Sequence, residues 1–356
     1  MTQIDKSKPV LVTGATGYVA GWLVKKLLED GITVHAAVRN PDKTEKIAHL
    51  NELAEKSNGS IRYFKSDLLK EGSYKEAMEG CELVYHTASP FSIAVKDPQK
   101  ELIDPAVNGT ANVLNTANEV SSVKRVVVTS SCAAIYTDAI DCQKAPGGVL
   151  TEDIWNTTAS IDYQPYSYSK TLAEKKAWEI NESQNRWDLV TINPCLVLGP
   201  ALNPQVVTSE SFNILKQLGD GTLKMGAPKM GLGLVDVRDV ADAHYQAGFV
   251  PEAKGRYITA GHNTNLLELG TVLQEKYGNK YPLPNKAMPK WLLMLVGPMA
   301  NKLFTRDLIR NNVNIEWKAD NSKIIKELGI NFRPMKTTME ESFQALIDEK
   351  ILKPKK

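Results

Sequence analysis

Six short runs rich in apolar and β-branched residues, PVLVT, TVHAAV, IRYFK, ELVYHTA, RVVVTS and LVTIN, recur between Lys8 and about Asn193. Stretches long enough for helices, such as YVAGWLVKKLLED and PDKTEKIAHLNELAEK, lie between them. Near-continuous apolar strands alternating with amphipathic helices describe a parallel sheet that is covered on both faces. The expected fold class is therefore α/β, with a doubly wound parallel sheet over residues 1–193. No repeat of fixed period interrupts this alternation, which sets a solenoid aside. After Pro194 the rhythm breaks into Gly- and Pro-rich segments, GPALNPQ and LGDGTLKMGAPKMGLG, and only GRYITAG reads as a further strand. Residues 194–356 are expected to form a smaller C-terminal substrate lobe over the carboxyl ends of the strands, where ligands bind in such sheets. Parts around 234–260, Leu234 to Phe249 among them, are expected to return to the main sheet.

The first strand runs straight into TGATGYVAGW. Gly14 and Gly17 at this strand-to-helix turn let the backbone approach a pyrophosphate that sits on the helix N-terminus. Ala20 stands where a third glycine is commoner and is still small enough for close packing. A glycine turn in this position makes the sheet Rossmann-type. The second strand ends in AAVRNPDK, which puts Arg39 where an acidic residue would hold the ribose 2′-hydroxyl of NAD. An arginine there suits the 2′-phosphate of NADP, with Lys43 and Lys46 adding positive charge. The third strand closes in SDLL, where Asp67 has two readings: a partner for the adenine amino group, or a cap for the next helix. Leu68 is placed to cover the ring.

The fifth strand carries Ser130 and Ser131 to the same edge of the sheet, and PYSYSK follows at residues 165–170. On a helix, Tyr166 shares a face with Lys170 and Tyr168 does not. A serine hydroxyl, a phenol and an ammonium suit carbonyl reduction. The phenol protonates the nascent alkoxide, the serine holds the carbonyl oxygen, and the lysine favours the tyrosinate left behind. An ordinary tyrosine titrates near pH ~10, so it needs that help. Lys170 is also a candidate to hold the nicotinamide ribose. Cys132, beside the serines, reads as a small buried hydrophobe because no histidine lies near it in sequence.

In this order, TGATGYVAGW, VRNP, SDLL, HTASPF, VVVTSS, YSYSK and INPCLVLGP resemble the extended short-chain dehydrogenase/reductase family, in particular its dihydroflavonol 4-reductase-like branch of NADPH-dependent aldehyde and ketone reductases. VDVRDVADAH and DNSKIIKELGINFRP extend the resemblance over nearly the whole chain. It implies Ser131, Tyr166 and Lys170 as the catalytic group, Ser131 being the last serine of the TSS run. It also implies NADPH contacts from Gly14, Gly17, Tyr18, Arg39, Lys46, Asp67, Leu68, Thr87, Ser89, Lys170, Pro194, Leu196 and Ser209. By position, Phe91, Ile93, Tyr136, Tyr166 and the stretches Leu202 to Phe212 and Met225 to Leu232 are expected to line the substrate pocket. Plant flavonoid reductases place an asparagine five residues beyond the catalytic serine, and Tyr136 stands there in this chain. The NWYCYGK-like signature of cinnamoyl-CoA reductases is also absent. Both departures weigh against a flavonoid or a CoA thioester and favour a small or medium aldehyde or ketone.

With charged residues at 24% and a net charge of +2, no broad basic face for nucleic acid is expected. The polar MTQIDKSKPV start lacks a secretory apolar core, so a cytoplasmic protein is expected. WLLMLVGPMA is about half a membrane span and reads as a buried helix or as lobe surface. The four cysteines and five histidines form no metal-ligand spacing, so free thiols and no metal are expected. The expected partner is a small-molecule carbonyl, and the expected state a monomer or homodimer. Two other functions share many of these motifs. A sugar-nucleotide epimerase or dehydratase of the same extended family would more often keep NAD and an acidic residue at Arg39, and a non-catalytic NADP-binding regulator would not need the Ser-Tyr-Lys set.

Overall fold

The computed structural model describes residues 1–89, 95–202, 210–300 and 304–355. Strands β1 (Val10–Thr13), β2 (Thr33–Val38), β3 (Ser60–Lys65), β4 (Leu83–His86), β5 (Arg125–Thr129), β6 (Asp188–Pro194) and β9 (Gly255–Thr259) form one sheet in the order β3-β2-β1-β4-β5-β6-β9. Every pairing in it is parallel. Both faces are covered, as the apolar runs require. On one side Val10 and Val12 of β1 pack with α1 (Tyr18–Glu29), α2 (Thr44–Glu55), α8 (Val237–Phe249) and α13 (Ser322–Leu328). On the other side Leu11 packs with α3 (Lys75–Met78), α4 (Asp104–Glu119) and α6 (Pro165–Glu182). Alternate residues of one strand thus feed two cores. The chain reverses its direction of winding between β1 and β4, which opens a crevice at their carboxyl ends.

A second sheet of three strands, β10-β8-β7, lies beyond this edge. It comprises β7 (Leu196–Leu198), β8 (Gly231–Asp236) and β10 (His262–Asn265). This corrects two expectations: GRYITAG is not the sole late strand, and the segment from Leu234 to Asp236 joins the second sheet rather than the first. Sequence pattern hid these strands for physical reasons. β7 has three residues, β10 is the polar HNTN, and β8 is broken by Gly231 and Gly233. The second glycine is there because Trp317 lies against the strand, and a Cβ on Gly233 would fall 2.4 Å from the indole. Residues Val237–Phe249 and Gly255–Thr259, by contrast, do pack on or pair with the main sheet.

The remaining helices are α5 (Ile140–Lys144), α7 (Glu210–Gly219), α9 (Leu266–Val272), α10 (Gln274–Tyr277), α11 (Lys290–Ala300), α12 (Arg306–Asn312) and α14 (Met335–Asp348). Helices α7, α9, α10 and α14 enclose a core with β7 and β8 that includes Leu198, Phe212, Leu234 and Phe343. WLLMLVGPMA is mostly lobe surface: Leu293 is buried, but Trp291 and Met299 are exposed. No helix among the described residues is long and apolar enough to cross a membrane.

Candidate active site

Gly14 ends β1 with φ +62°, and its missing Cβ would meet Ala88 Cα at 3.0 Å. Only glycine takes this backbone angle without strain while leaving room for the β4 chain end. Helix α1 then starts after Gly17 with no side-chain cap and no acidic residue in its first turn. Its N-terminus keeps its positive character, so the turn fits a dinucleotide pyrophosphate. Arg39 is exposed one residue past β2. Ser66 donates its backbone N–H to Val38 O at 2.9 Å, which brings the end of β3 beside Arg39. Lys43 and Lys46 are exposed at the start of α2. This cationic group fits a ribose 2′-phosphate.

Other expected cofactor residues are placed with existing bonds. Asp67 Oδ1 accepts from Leu69 N at 2.9 Å in a local turn, the capping alternative, although the segment is a turn rather than a helix. Leu68 packs on α4 exactly where Gly109 has no side chain, since a Cβ there would lie 2.4 Å from Leu68 Cγ. Tyr18 donates from its hydroxyl to Gly199 O at 2.7 Å and stacks near Phe212, which is core rather than pocket lining. Thr87 bonds back to Thr13 through both N–H and hydroxyl. Pro194 closes β6 and Leu196 opens β7. Ser209, Phe91 and Ile93 lie outside the described residues.

Helix α6 brings the expected catalytic side chains together. Its N-cap, Gln164, is left-handed at φ 55°, and Pro165 fixes the first turn. Tyr166 and Lys170 then share a face, with Lys170 Nζ 5.9 Å from the Tyr166 ring centroid. Burial pushes the Tyr166 phenol up to about 12, while a hydrogen bond with the Ser131 side chain pulls the other way. Lys170 is nearly enclosed and donates to Ser89 Oγ at 2.9 Å. Burial brings its ammonium down to about 8, opposed by the Glu174 carboxylate. The two serines separate cleanly: Ser130 donates to Glu174, and Ser131 accepts from Ala133 N at 3.1 Å and meets Tyr166. Tyr136 packs against Trp317, with ring centroids 5.5 Å apart. Cys132 is buried and donates its thiol to Asn193 O at 3.0 Å, so it packs as a small core residue.

Four members of this neighbourhood escaped the sequence reading. Thr13 Oγ1 lies 3.0 Å from His86 Nδ1, and burial holds that imidazole neutral by bringing it down to about 3. Glu174 and Arg256 form a buried ion pair at 2.6 Å behind Lys170. The signal for Glu174 was present, because KTLAE puts it four residues after Lys170 on the same helix face.

The model of the NAD dependent epimerase/dehydratase family matches residues 10–258. Cinnamoyl-CoA reductase of Medicago truncatula is 36% identical over 98% of this chain and 99% of its own. An anthocyanidin reductase of Vitis vinifera is 37% identical over 78% of this chain and 83% of its own. Among solved structures, Gre2 of Candida albicans in complex with NADPH superposes with TM-score 0.76 at 27% identity, covering 96% of this chain and 99% of that one. With the family model spanning well over half of its length, this chain belongs to the NAD dependent epimerase/dehydratase family.

Proposed function

We propose that the protein is an NADPH-dependent reductase that converts a small or medium aldehyde or ketone to the alcohol. The observation that carries this reading is the meeting of Ser131, Tyr166 and Lys170 at the strand edge that Gly14 opens. NADPH bound along that edge would supply the hydride. Ser131 orients the carbonyl oxygen through its hydroxyl. Tyr166, pushed up to about 12, is protonated at neutral pH and so stands ready to give its proton to the alkoxide oxygen. Lys170, protonated below about pH 8, offsets the charge left on the phenolate. The exposed Arg39 supports NADPH over NADH. The relatives named as cinnamoyl-CoA and anthocyanidin reductases, and the NADPH-bound Gre2, support reduction as the reaction type.

The test is NADPH oxidation by the purified protein against aldehydes, ketones, diketones, flavonoid ketones and a hydroxycinnamoyl-CoA thioester, with sugar nucleotides assayed for product. Turnover of a simple aldehyde or ketone is expected. Conversion of a sugar nucleotide without net NADPH consumption would make the protein an epimerase or dehydratase. Tight NADPH binding with no turnover of any substrate would make it a regulator.

A further inference from the structure

Glu174 is 1% exposed and its carboxylate accepts six hydrogen bonds. Oε2 accepts from Ser130 Oγ, from Asn193 Nδ2 at 2.7 Å and from Arg256 Nη2 at 3.4 Å. Oε1 accepts from Arg256 Nε at 2.6 Å, Thr191 Oγ1 at 3.1 Å and Trp178 Nε1 at 3.3 Å. Arg256 is held in turn by the carbonyls of Glu152 and Ile154 at 2.7 and 2.6 Å, and its guanidinium lies 4.0 Å from the Trp155 ring centroid. Asn193 passes the constraint on, donating through Nδ2 to Ser131 O at 3.2 Å.

A buried ion pair of this kind adds little stability over an apolar pair of the same shape. Its placement therefore calls for a reason. The carboxylate binds the serine before Ser131, two residues of β6 and one of β9, from a helix position one turn beyond Lys170. Two of these bonds bear on Ser131: Ser130 precedes it, and Asn193 holds its carbonyl. The groups that face Lys170 are Ser89 beyond β4, the neutral His86 of β4, Tyr166 and Glu174 on its own helix, and, behind Glu174, Arg256 of β9. Glu174 supplies the negative charge in that set.

We propose that Glu174, paired with Arg256, is a positioning residue for the reduction: it fixes Ser131 through Ser130 and Asn193, and it sets its carboxylate one helical turn from Lys170. The proposal rests on the reductase reading given above.

The test uses the full chain with Glu174→Gln and Glu174→Asp. In Glu174→Gln, kcat is expected to fall about 10- to 100-fold, as for lost alignment and charge support in acid catalysis. NADPH affinity, read at a pH where Lys170 is protonated in both proteins, is expected to stay within about twofold. Its alkaline limb in kcat/KM is expected to move down by about one pH unit, since losing a nearby opposite charge destabilises the ammonium. Glu174→Asp keeps the charge, so it should keep the native limb while remaining slower. If Glu174→Gln fails to fold, the double variant Glu174→Gln/Arg256→Gln, which leaves no charge buried alone, is measured in its place; because the guanidinium behind Glu174 goes too, a smaller displacement in the same downward direction is expected. An alkaline limb at the native pH in the Gln variant, with only the rate reduced, would overturn the proposal and leave Glu174 as scaffolding. Titration of Lys170 by 13C NMR of ε-labelled lysine, assigned through Lys170→Arg, needs no substrate. It separates the outcomes: a native protein without turnover overturns the reductase reading, whereas an unmoved Lys170 titration in Glu174→Gln overturns this one.

Discussion

Tyr166 and Tyr168 differ in one respect that matters, their angle around α6. Tyr166 meets Ser131 and lies over Lys170, and burial leaves its proton in place until about pH 12. Tyr166→Phe keeps the ring and loses the proton. Its kcat under saturating NADPH should drop by roughly two to four powers of ten with little change in the NADPH Kd, whereas Tyr168→Phe should cost far less. If the Tyr168 variant were the inactive one, the helix register assigned to the chemistry would be wrong. Arg39 offers a second test. It is exposed beside the end of β3, and a charge-assisted bond to phosphate is stronger than a neutral one. Arg39→Asp should raise the NADPH Kd much more than the NADH Kd, and equal use of both cofactors by the native protein would remove the argument. The places of both residues were readable from sequence, Tyr166 by its four-residue spacing from Lys170 and Arg39 at a strand end, and the two variants test their roles. Arg256 was not readable, and the four-residue spacing of Glu174 from Lys170 did not disclose its burial, because a charge inside a helix or strand pattern reads as solvent-facing until the fold shows that the two enclose each other.

The β1–α1 turn shows what an element contributes. Gly14 holds φ +62° against Ala88, and the helix beyond it has no cap of its own. An alanine at this position pays about 1–2 kcal/mol for the left-handed backbone before any contact with Ala88 is counted. Gly14→Ala should therefore lower Tm and weaken NADPH binding together, and a variant with native Tm and native Kd would show that the turn has another shape. Five of the six main strands up to Pro194 were legible because they are buried almost throughout and carry mostly apolar runs. Even β3, the least enclosed of them, kept enough β-branched and aromatic character to be found. The three strands of the small sheet were not legible. Gly233 is in β8 to make room for the Trp317 ring, a tertiary demand that local sequence cannot display.

Across the whole molecule, the groups proposed for the chemistry lie on the large sheet and α6, while Tyr136 packs against the buried Trp317 of the C-terminal part of the chain. Tyr136→Ala should redistribute activity among carbonyl substrates and leave the NADPH Kd nearly unchanged, and an identical substrate profile would remove Tyr136 from the pocket. The same two parts of the chain are joined by Asp138, whose carboxylate accepts from Tyr163 at 2.6 Å and from Asn312 at 2.6 Å. That join depends on residues 174 positions apart, so periodicity could not announce it. The Glu174–Arg256 pair, separated by 82 positions, has a consequence for descent. Loss of either partner alone strands a charge in the interior, at a cost that can reach about 3–5 kcal/mol. The two codons are thus bound to one history: a lineage that gives up the acid must give up the base almost at once, and chains that swap segments between the α6 and β9 regions will inherit one without the other.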